Sequence, residues 1–100
     1  MRIGDRVGAI LSKEDGVVNF IGFGKYAGPH LIDESIPGYV AEVFREAGVR
    51  NPKITLDDGN VVYGMECWWS TENEVQKMLD AASKVVIVNI AEQMRDRRKP

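Results

Sequence analysis

Residues 61–74 read "VVYGMECWWSTENE", a run of β-branched, aromatic and small residues that passes without a linker into a helix start. Taken as one strand from Val61 to Trp69, it places Val61, Tyr63, Met65, Cys67 and Trp69 on one face and Val62, Gly64, Glu66 and Trp68 on the other, because successive side chains alternate. The first row is wholly apolar and is expected to be core. The second is mixed, so Trp68 should share its face with Glu66, beside the bare position at Gly64. Thr71 and Glu74 then have capping-box spacing, and Glu72 and Glu74 put negative charge at the positive end of the helix dipole. Val75, Met78, Leu79 and Ala82 form the apolar stripe of that helix.

Upstream, "KITLDDGNVVYG" supplies a hairpin whose turn is Asp58-Gly59, joining Ile54–Asp57 to the strand that begins at Val61. A first hairpin turns at Asp15-Gly16. Its outgoing strand lies within Arg2–Ser12, with Ile3, Val7, Ala9 and Leu11 on one parity, and its return runs Val17–Gly28, interrupted by Gly22 and Gly24. Pro29–Ser35, "PHLIDES", is expected to be a polar loop. The segment "GYVAEVFREAG" carries Val40, Val43, Phe44 and Ala47 at helical spacing, with Gly48 as the stop of a short amphipathic helix. Lys84–Ile90, nearly all apolar, reads as a closing strand. The last ten residues are polar, with Arg95, Arg97, Arg98 and Lys99 clustered in a short helix or frayed tail.

These elements predict a single α+β domain over residues 1–100: a strongly bent antiparallel five-stranded sheet, or a small SH3-like barrel, with two short helices. A chain of 100 residues can bury one modest core unaided. A net charge of -2 is not built for bulk electrostatic capture of nucleic acid. A single cysteine, Cys67, excludes an intramolecular disulfide and suits a reducing cytoplasm. The start carries charges at Arg2, Asp5 and Arg6 in place of a signal-peptide apolar run, and no segment has the roughly 18 apolar residues of a membrane span.

The sequence offers two candidate recognition elements. Trp68 as an aromatic plate, Glu66 as an acceptor and the gap at Gly64 would form a patch; alternatively Trp68 covers the second helix or a sheet edge while Glu66 pairs with an arginine. In "GFGKYAG", Lys25 and Tyr26 would face a ligand, with Arg2 or Arg6 from the neighbouring strand. The glycines there lack phosphate-loop spacing and are read first as bending the strand. His30 and Cys67 have no metal-ligand spacing and no catalytic partner, so no catalytic residue, metal or cofactor is expected. Cys67, in the apolar row, reads as a small hydrophobe.

Together "IGDRVGAI", "GFGKYAG" and "NPKITLDDGNVVYGMECWW" resemble small accessory proteins of bacteria and tailed phages, a likeness covering most of residues 2–69. The resemblance implies a phage or prophage gene whose product blocks a host protein or sequesters a host signal. The expected function is a non-catalytic, counter-defensive binding protein acting in the cytoplasm on a host protein or a nucleotide-like small molecule. Trp68 or Tyr26 would stack on a base and Lys25 and Arg6 would meet phosphate. The alternatives are a nucleic-acid-associated SH3-like module and, behind it, a small enzyme using Glu66 or His30. An open sheet edge and an exposed aromatic favour a homo-oligomer, a dimer or higher.

Overall fold

The computed structural model describes residues 1–90; the basic segment 91–100 lies outside the described residues. The chain runs β1 (Arg6–Glu14), β2 (Val17–Leu31), α1 (Tyr39–Glu46), β3 (Arg50–Leu56), β4 (Val61–Tyr63), a 3₁₀ turn (Gly64–Glu66), β5 (Trp68–Thr71), α2 (Glu72–Ala81) and β6 (Lys84–Ile87). The class is α+β and mostly strand. The single sheet has the order β4-β3-β2-β1-β5, antiparallel throughout, with β6 added parallel to β2.

Both hairpins form where the Asp-Gly pairs require them. Asp15 and Gly16 take φ values of 52° and 78°, the doubly positive pair of a two-residue hairpin turn. At the second hairpin Gly59 has φ 91° and donates to Leu56 O at 2.9 Å.

The 15-residue β2 organises the sheet. One of its edges is taken by β1. The other is shared, with β6 pairing Val17–Phe20 and β3 pairing Gly24–Leu31. Register shifts in the β1 ladder near Ala9 and Ile10, and in the β3 ladder between Tyr26 and Pro29, let the sheet curl. Curling does not close it into a barrel.

Two cores result, one on each face. The inner face gathers Val7, Ala9, Ile21, Ile54, Leu56 and Val62, and Ile90, just past β6, joins them. On the outer face α2 lays Val75 against Ile10, Val18 and Phe20, with Met78, Leu79 and Ala82 alongside, as its stripe predicts. Thr71 Oγ1 accepts from Glu74 N at 3.3 Å, one half of the expected capping box. A third cluster, Ile32, Ile36, Ala41 and Tyr63, seats α1.

Several expectations need correction. The sheet has six strands, because Val61–Trp69 is broken by the 3₁₀ turn. The Pro29–Ser35 loop is partly strand, since β2 continues to Leu31, and Ile32 is buried. Ile3 lies before β1 and is exposed. The largest difference concerns α1. Ala41 and Phe44 pack inward while Tyr39, Val40 and Val43 are 79%, 53% and 38% exposed. The buried face is thus rotated about one residue step, roughly 100°, from the stripe Val40-Val43-Phe44-Ala47. Arg45 fixes that rotation: its Nη1 donates to Asp33 O and Ile36 O, both at 3.0 Å. These two bonds to backbone carbonyls hold the helix where its own apolar pattern would not.

Candidate functional site

The outward set of α1 opens a cleft of about 370 Å³, lined by Pro37, Gly38, Tyr39, Val40, Ala41 and Met65. Gly38 makes its first wall. It is the N-cap of α1 with φ 111°, a left-handed value that glycine tolerates, and it has no side chain to cap the helix. The amides of Tyr39, Val40 and Ala41 have no intrahelical acceptors at this end. Tyr39 stands at the mouth.

Met65, the opposite wall, is presented by the 3₁₀ turn. Glu66 Oε1 accepts from Tyr63 N at 3.0 Å and so closes the turn from within. Gly64 fits closely, since a Cβ there would sit 3.0 Å from Pro52 Cδ and 3.2 Å from Trp69 Nε1. The space beside Gly64 is therefore filled by the protein itself. Below, Tyr63 is buried and its hydroxyl accepts from Asp33 N at 3.2 Å. The Ser35 side chain and the Ser35 amide, the latter at 2.8 Å, both hydrogen-bond the Asp33 carboxylate and hold its carboxyl below the usual range. Anchored in this way, the segment Asp33–Gly38 gives the cleft a preformed floor. A smaller cleft of about 230 Å³ lies on the other side of it, lined by Asp33, Ser35, Ile36, Lys53, Val61 and Tyr63.

Of the residues singled out from sequence, Arg6 and Lys25 are ladder partners, and the Trp68, Glu66 and Gly64 patch is not assembled. Trp68 is half-exposed on β5, opposite Ile10, whereas Glu66 is buried at 8% exposure behind Met65. The patch of Trp68, Glu66 and a gap at Gly64 is not assembled, because the 3₁₀ turn breaks the strand alternation that put them on one face. The two tryptophans have separate surroundings: Trp69 stacks on Tyr26 with centroids 5.5 Å apart and planes 10° from parallel, beside the inner core, while Trp68 meets solvent.

Lys25 and Tyr26, adjacent on β2, take opposite faces of the sheet. Lys25 is exposed beside its ladder partner Arg6. The Arg6 guanidinium is itself committed, with Nη1 and Nη2 at 2.6 and 2.8 Å from the Asp57 carboxylate and Nε 2.9 Å from Glu72. Arg6 in turn draws the Asp57 carboxyl below its ordinary range. Lys25, Arg6 and Tyr26 therefore do not converge on one ligand. His30 belongs to β2, with its Nε2 3.0 Å from Ala27 O. Among the described residues no group of histidine, cysteine and carboxylate side chains has metal-binding geometry, and no helix is long and apolar enough to cross a membrane.

Cys67 packs against the inner core, and burial with the neighbouring Glu66 carboxylate pushes its thiol up to about 12. The thiolate is the reactive species. A disulfide reagent at pH 8 should therefore label the native protein, where Cys67 is partly buried, far more slowly than the protein in denaturant. Rapid labelling of the native state would contradict this placement.

Pro37–Ala41 and Met65 were not singled out by the sequence. Their signal was a helix entered through Pro-Gly without a serine, threonine or aspartate cap, with Tyr39 off the expected buried stripe. Fold and cleft together define an α+β, mostly-strand domain with a preformed surface cleft at the start of a helix. Comparison with protein-family models, curated proteins and solved structures returns no match.

Proposed function

We propose that this chain is a non-catalytic binding protein that holds a nucleotide-like small molecule in the α1 cleft. The supporting observation is the cleft itself: about 370 Å³, without an ionisable carboxylate in its lining, with an aromatic ring 79% exposed at its mouth. That volume is at the small end of ligand sites, about 300–1,000 Å³. Tyr39 would stack on a base, Val40, Ala41 and Met65 would contact its edge, and the first-turn amides would donate to an acceptor oxygen. Glu66 serves as a positioning residue, since it holds the turn that carries Met65. The resemblance to phage and prophage accessory proteins supplies a setting, the sequestration of a host signal in the cytoplasm.

The alternative of a nucleic-acid module leaned on the analogy with small closed barrels, and the sheet is open. A protein partner remains the second reading because the apolar stripe of α1 faces outward.

Native mass spectrometry of protein purified from its expressing cell, followed by calorimetry with adenosine and guanosine mononucleotides, tests the proposal. Loss of one stacked ring is worth about 1–3 kcal/mol, so Tyr39→Ala should weaken binding by about fivefold or more. Undiminished binding by the Tyr39→Ala protein, or no nucleotide bound by the parent, would overturn it.

A further inference from the structure

We infer that the exposed stripe of α1 is covered by a second copy of this chain, the two helices packing antiparallel about a twofold axis near Val43. The pairing is argued from the stripe alone; only the statement that it roofs the ligand cleft rests on the proposed function. Tyr39, Val40 and Val43 point away from the protein's own core, and Val49, 40% exposed, continues the surface beyond the helix. Leu31, 47% exposed at the end of β2 opposite Arg50, extends it further.

Size, charge and area each favour a second copy. A twofold axis at Val43 sets Tyr39 of one copy against Ala47 of the other, so the largest side chain of the stripe meets the smallest. An isologous interface needs this reciprocity, because each contact is made twice. The same axis carries the exposed Arg50 of the second copy to the neighbourhood of Ile36, beside the exposed carboxylates of Asp33 and Glu34. Opposite charges then meet at both ends of the pair, while Glu42 and Glu46 remain on the rim.

With one face of the Tyr39 ring, about 75 Å², turned to the partner and the other left to the cleft, and about 50 Å² for each half-exposed aliphatic side chain, the stripe offers roughly 275 Å² of apolar surface. With about 57% of an interface apolar, this corresponds to roughly 500 Å² per copy and about 1,000 Å² for the pair. That figure is the least a specific interface needs. In the pair, Val49 and Arg50 of the second copy lie over Pro37 and Gly38, covering the open side of the cleft and adding the cation its lining lacks.

Sedimentation velocity over a concentration series, with circular dichroism to check folding, tests the pairing. The parent protein should dimerise. Val43→Glu should raise the dissociation constant at least about tenfold by placing like charges at the axis. Ala47→Glu, outside the cleft lining, should act in the same direction if Val43→Glu disturbs folding. A parent that stays monomeric overturns the pairing and leaves the stripe to a different protein; so does a dimer that folded Val43→Glu and Ala47→Glu proteins both retain. Calorimetry with adenosine mononucleotide on the same samples separates the two proposals. Weaker binding by the monomeric variants upholds the roofing of the cleft, and equal binding removes that part while leaving the ligand site standing. A dimer abolished by both variants, with no nucleotide bound in any form, upholds the pairing and overturns the proposed function alone.

Discussion

Gly24→Ala is expected to destabilise the protein by about 3 kcal/mol or more, the upper range for overpacking a buried site. A Cβ at this position would land on the Thr55 carbonyl oxygen and 2.7 Å from Leu56 Cα. Both obstacles are backbone, so no rotamer change relieves the clash. Gly24 pairs with Val7 on one side and Leu56 on the other, and any shift of β2 must open one ladder or the other. Gly59→Ala is the control. Its φ of 91° is strained for alanine, but nothing lies within 4 Å of the new methyl, so the cost should be limited to about 1–2 kcal/mol. Urea unfolding midpoints compare the two directly. Equal midpoints would mean that the close approach of β2 and β3 at Gly24 is not as described.

The second large effect concerns the seat of α2. A Cβ on Gly8 would lie 2.7 Å from Val75 Cγ1 and 2.8 Å from Val75 Cβ, and Val75 is fully buried. Gly8→Ala should therefore cost about 2–3 kcal/mol. Val75→Ala, which removes two buried methyl groups, should cost about 2 kcal/mol. Because Val75→Ala removes the Cγ contacts but leaves Cβ 2.8 Å from the new methyl, the double variant should recover only part of the overpacking cost and be more stable than the sum of the two losses predicts by about 1 kcal/mol. A double-mutant cycle from urea denaturation measures this coupling. Additive losses would separate Gly8 from Val75 and displace α2 from the position described.

Much of this architecture was legible in the sequence because it is specified locally. The Asp-Gly turns need positive φ, the Thr71 cap needs only Glu74 three residues on, and the α2 stripe meets the face it should. The misread elements are governed by contacts distant in sequence. Nothing within residues 61–69 requires the strand to stop at Tyr63. It stops because Glu66 turns back onto the Tyr63 amide while Pro52 and Trp69 close around Gly64. Once the alternation is broken there, the predicted company of Trp68 and Glu66 is lost.

The same holds for α1. An apolar stripe is identical in sequence whether its own core or another molecule covers it, and only the bonds from Arg45 to the Asp33 and Ile36 carbonyls show which way the helix turns. The ion pairs of Arg6 were not legible for a related reason, since its carboxylate partners Asp57 and Glu72 are distant in the chain and adjacent only in the fold. The candidate cleft was invisible for both reasons together. One wall depends on the rotation of α1, and the other on the interrupted strand.

Methyl resonances provide the most direct measurement of where a ligand sits. Protein carrying ¹³C-methyl methionine, titrated with an adenosine mononucleotide, reports the α1 cleft through Met65 and the α2 core through Met78, while the Trp68 indole reports the outer end of β5. Binding in the cleft should shift Met65 along a saturable curve and leave Met78 and Trp68 in place. A titration that moves the Trp68 indole and leaves Met65 unchanged would contradict the assignment of the site.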